Sequence, residues 1–77
     1  MERTKNVERL LDGIAAKHGN HVRYAIAPLQ SGVGDIQINA YPTVGEAAVR
    51  IFNLSEGLTP TVRQSIRDWF EPLAHRS

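Results

Sequence analysis

Cysteine is absent from the 77 residues, which excludes disulfides, thiolate chemistry and Cys-ligated zinc and fits a reducing compartment. Charge of one sign is not in excess either. Nine Lys/Arg stand against eight Asp/Glu, a formal +1 at pH 7, so the chain as a whole exerts no broad attraction on nucleic acid or anionic lipid. No apolar run approaches the ~20 residues of a membrane span. The opening MERTKNVERLLDGIAAKHG mixes charge throughout and lacks the unbroken apolar centre of a secretory signal. The expectation is a soluble, cytoplasmic protein. Asn53-Leu54-Ser55 matches a glycosylation sequon, which carries little weight without a signal. Repeats, linkers and low-complexity tracts are missing, so residues 1–77 read as a single small domain, and one of this length buries only about 60% of its unfolded surface.

Aromatic residues amount to 6%, and their placement is therefore informative. The single Trp and one of the two Phe sit together in Leu58 to Leu73, LTPTVRQSIRDWFEPL. Val62, Ile66, Trp69, Phe70 and Leu73 recur at helical spacing, so this stretch predicts a helix whose large apolar stripe anchors the core. Thr59 is its expected N-cap and Pro60 its first residue. Pro72 is expected to close it near Glu71, with Ala74 to Ser77 fraying.

A first helix is predicted over Thr4 to His18, from the stripe Val7, Leu10, Leu11, Ile14 and His18, with Thr4 or Asn6 as cap and Gly19 ending it. His21–Ala27 and Asp35–Tyr41 alternate apolar and polar residues, predicting two strands of an antiparallel hairpin. Pro28 and Pro42 stop them, and the LQSGVG loop joins them. Thr43-Val44-Gly45-Glu46 fits a capping box. It favours a helix over Val44 to Ser55 whose face would hold Ala48, Ile51 and Phe52. The fold class is thus α+β, in the order α-β-β-α-α with the hairpin packed on helices. The alternative is α-β-β-β-α with a three-stranded meander, because VRIFNL is also rich in strand formers.

Catalytic chemistry finds little purchase. His18, His21 and His75 show no preorganised set of three or four ligands. The serines lack the strand–nucleophile–helix setting of an elbow. The carboxylates fall on polar faces or helix ends. The SGVGD loop is only a fragment of a phosphate-binding fingerprint. The reading is no enzyme, no metal and no cofactor.

A shortage of charge is the most telling positive feature. From Tyr24 to Gly45 the only charged residue is Asp35, and both tyrosines lie in this stretch. Interface cores are depleted of charge and enriched in Tyr, and a lone hairpin would show two unpaired edges. The expected partner-binding residues are Tyr24, Gln37, Asn39 and Tyr41 on the hairpin, with Arg63 and Arg67 on the last helix. The primary expectation is a non-catalytic protein that binds and covers a protein partner. A nucleic-acid-binding regulator using Arg63, Arg67 and Arg50 is the second. A homodimeric subunit paired through the hairpin edge is the third. In size and style the chain resembles the small occluding inhibitors encoded by phages and plasmids, of which anti-CRISPR proteins are one group. That resemblance implies inhibition by occlusion and carries no individual residue across.

Overall fold

The computed structural model describes residues 2–29 and 33–75. Five elements follow in the order α1 (Glu2–Lys17), β1 (Val22–Pro28), β2 (Asp35–Pro42), β3 (Ala48–Asn53) and α2 (Pro60–His75). The strands form an antiparallel meander with β2 in the centre. Both helices cover one face of it, α1 over β1 and α2 over β2 and β3. This is the α-β-β-β-α order.

The helix expected over Val44 to Ser55 is therefore corrected to a strand. Thr43 does not cap a helix. Its backbone N–H and its hydroxyl both donate to the His21 carbonyl, at 2.8 and 2.7 Å. Gly45 takes φ +108°, outside the helical region, and Val44 is exposed. The physical reason is tertiary. Without β3, β2 would keep a row of unmatched N–H and C=O groups, and pairing along Asp35↔Asn53 through Ala40↔Ala48 matches them. Local propensity cannot register that gain.

The core joins Val7, Leu10, Leu11 and Ile14 of α1, Ile36 and Ile38 of β2, Phe52 and Leu54, and Ile66 and Phe70 of α2. Val62, Trp69 and Leu73 pack against it while partly buried. Trp69 meets Phe52 at 5.8 Å between ring centroids and Phe70 at 6.0 Å. At the end of α1, the Asn20 N–H donates to the Ala15 carbonyl and the Gly19 N–H to the Ala16 carbonyl. With Gly19 at φ +86°, this is a Schellman ending. At the start of α2, Thr59 caps as expected, its Oγ1 accepting from the Val62 N–H at 3.2 Å.

Two helix boundaries differ from expectation. Thr4 and Asn6 lie inside α1, which begins at Glu2, because no breaker precedes them and Arg3 and Lys5 are good helix formers. Helix α2 runs through Pro72 to His75. Proline removes one N–H bond there, but Ala74 is buried and the His75 ring packs edge-on against His18 at 5.3 Å. Those contacts hold the last turn, so Ala74 and His75 do not fray. Arg76 and Ser77, also expected to fray, lie outside the described residues, as does the Gln30-Ser31-Gly32 part of the loop.

Gly34, at the end of that loop, is demanded by the fold. It adopts φ +78°, its carbonyl accepts from the Leu54 N–H at 2.7 Å, and a Cβ would sit 2.5 Å from the Ser55 nitrogen. Asn53 fastens the same corner. Its side-chain N–H groups donate to Asp35 Oδ1 at 2.6 Å and the Val33 carbonyl at 3.1 Å.

Candidate binding surfaces

Alternation along a strand sends every second residue away from the helices. The register therefore builds the outer face of the sheet in rows. Ala25, Asn39 and Val49 form one row, and Ala27, Gln37 and Ile51 the next. Arg23 and Tyr41 close one end, Asp35 and Asn53 the other. The middle of this face thus carries no charge. Val49 and Ile51 are large apolar residues more than half exposed, at 59% and 55%, with Tyr41 at 49% beside them. Gln37 Nε2 donates to Asn39 Oδ1 at 3.2 Å, which orders the polar strip between the apolar residues. Val33 and Val44, both exposed, flank β2 at its two ends.

Three of the four hairpin residues expected to act together do share this face: Gln37, Asn39 and Tyr41. Tyr24 does not. It points under α1, where its hydroxyl donates to Asp12 Oδ1 at 2.6 Å and to the Glu8 carbonyl at 3.2 Å. Its ring meets Phe70 edge-on at 6.2 Å. Burial, and then the Asp12 carboxylate, push the Tyr24 phenol well above its ordinary value of 10.0. The hairpin is also less open than its sequence implies, because β2 is paired on both sides and the free edges belong to β1 and β3.

Ile51 is the surface residue the favoured sequence reading missed, whereas Val49 falls outside the apolar stripe of the expected helix as well. A helix over this stretch turned Ile51 inward. The richness of VRIFNL in strand formers was the signal for a strand, and the two-residue period of a strand places Phe52 inside and Ile51 outside.

Arg63 and Arg67 lie in the other layer. They line a groove of about 720 Å³ along the seam of α1 and α2, its described lining drawn from the two helices. Arg9 and Lys17 of α1 face them across it, with Gly13 between. Glu71 does not pair with Arg67, as helical spacing suggests. It accepts instead from Lys17 Nζ at 3.2 Å, and His18 Nε2 lies 3.1 Å from the same oxygen. The His18 contact, followed by Lys17, holds the Glu71 carboxyl below its ordinary value. Arg50 stands on the helix side of β3, its guanidinium 5.4 Å from the Phe52 ring centre, apart from the other two arginines. Arg9 and Lys17 escaped the sequence reading, although their spacing at positions 9, 13 and 17 marks one flank of α1.

Among the described residues, no group of three His, Asp or Glu side chains is placed to hold a metal ion, and no helix is long and apolar enough to cross a membrane. No protein-family model, no curated protein and no solved structure matches the chain.

Proposed function

We propose that this chain is a non-catalytic binding protein that covers part of a protein partner's surface with the open face of its sheet, acting as a small inhibitor or regulator inside the cell. The observation that carries the reading is the charge-free centre of that face, where Val49 and Ile51 are exposed beside Tyr41, Asn39 and Gln37. Interface cores are depleted of charge and enriched in Tyr, and here Tyr41 borders the uncharged centre in the end row. Strands of this length at their usual spacing give a face of roughly 200–300 Å². A stable complex buries about 800 Å² on each side. The partner must then also reach beyond the strands, and Val33 and Val44, exposed at the two ends of β2, are apolar residues available to it there.

The test is capture from the source cell on immobilised protein in three forms. Wild type and Arg63→Ala/Arg67→Ala should retain the same species, and Val49→Lys/Ile51→Lys should lose it. Retention by all three forms would remove the face from the contact. Sedimentation at micromolar concentration covers self-association. A wild-type dimer that the lysine pair splits would reassign the face to a second copy of the chain.

A further inference from the structure

The groove between α1 and α2 gathers charge that the composition conceals. Among the described residues four cations line it, namely Arg9, Lys17, Arg63 and Arg67, against one carboxylate, Glu71. Four cations against one anion leave a net +3 on the described lining, so a chain of +1 carries −2 on its remaining residues. We propose that this groove binds the phosphate backbone of a nucleic acid, without reading its sequence.

Arg63 and Arg67 are one turn apart on α2 and exposed. Neither forms an ion pair among the described residues, and neither does Arg9. The guanidinium fork matches a phosphate in a two-bond geometry that an ammonium cannot reproduce. Helix walls from both sides let a ligand meet cations on two flanks at once. Glu71, the one acid among the described lining residues, is already engaged by Lys17 and His18.

Gly13 adds a second, independent observation. A helical glycine in place of alanine costs about 1 kcal/mol. The fold does not require it, because a Cβ there would meet nothing within 4 Å. Its effect is to leave helix backbone bare in the groove, where a bulky chain can approach closely.

The chemistry of the walls selects the kind of ligand. No aromatic side chain is among the described residues of the groove, so a nucleobase finds no stacking platform on them. That disfavours a mononucleotide and favours a backbone held by its phosphates alone. Such binding is driven by counterion release and weakens steeply with salt.

The experiment is fluorescence anisotropy with labelled oligonucleotides of about 20 units, single-stranded and duplex, between about 50 and 200 mM salt. Wild type should bind at least one of them, with a log–log salt slope of about −2 to −4. Arg63→Ala/Arg67→Ala should lower the slope by about 2 units, and adding Arg9→Ala should abolish measurable binding. Glu71→Gln should strengthen binding a few-fold. Asn39→Ala/Tyr41→Ala, neutral changes on the sheet face, should bind as wild type, which keeps this result separate from the protein-partner test. All the altered side chains lie on the surface or its rim, and circular dichroism checks that each variant folds. Three outcomes overturn the proposal: no binding to either oligonucleotide at low salt, unchanged binding by the triple arginine variant, or displacement by polyglutamate more readily than by unlabelled DNA of equal charge. The last would make an acidic peptide the ligand.

Discussion

Gly34 shows how much a single backbone position can decide. Its positive φ, its bond to Leu54 and the 2.5 Å approach of a would-be Cβ to Ser55 coincide. Gly34→Ala must therefore strain the φ and also push β2 away from the end of β3. The expected loss is about 2 kcal/mol or more, read as a lower midpoint in urea. Tyr24 is the second residue of this kind. With Tyr41→Phe as background, its phenolate absorbance should rise only well above pH 10, and Asp12→Asn should bring the transition down. The sign for stability follows. The folded value lies above the unfolded 10.0, so the Tyr24 contribution is complete below pH 10 and is lost as pH climbs from there through the folded value. A phenolate appearing at the ordinary pH would mean that the Tyr24–Asp12 bond does not hold in solution.

At the scale of elements, β3 is the piece that changes the architecture. Its strand character predicts opposite outcomes for neighbours. Phe52→Ala empties a core position against Trp69 and should cost about 3 kcal/mol or more, much of the roughly 4–12 kcal/mol that a chain of this length holds. Ile51→Lys places a charge on an open face and should change stability by about 0.5 kcal/mol or less. Trp69 fluorescence reads both, since the only Trp sits beside Phe52. Were the segment helical, the two substitutions would be similarly damaging. Helix α2 makes a related point about proline. A break was expected at Pro72, but Ala74 and His75 have somewhere to pack, and packing outweighs one missing backbone bond.

For the whole molecule, two layers give two unlike surfaces. The sheet's outer face is neutral at its centre, and the helical seam is basic. Net charge averages the two and reveals neither. The protein-partner reading and the phosphate-groove reading thus rest on different residues in different layers, and either can fail alone.

Much of the fold was legible because it is periodic. The stripes of Val7 to Ile14 and of Val62 to Leu73, the alternation over His21 to Ala27 and over Asp35 to Tyr41, the Thr59 cap and the Gly19 ending are all local patterns, and each appears in the structure. Less of the candidate site was legible. Gln37, Asn39 and Tyr41 share a face by parity alone, whereas the inward turn of Tyr24 depends on α1 lying over β1 with Asp12 in reach.

What the chain determined unaided was the existence of two amphipathic helices and a hairpin, since 3.6- and 2-residue periods are fixed by backbone geometry. Tertiary structure alone decided that VRIFN joins the sheet, that Ile51 faces out, and that Arg9 and Lys17 meet Arg63 and Arg67 across a groove. Each of these depends on groups far apart in sequence satisfying one another, through a ladder of backbone bonds or a shared seam. The energy of such a match belongs to neither segment by itself.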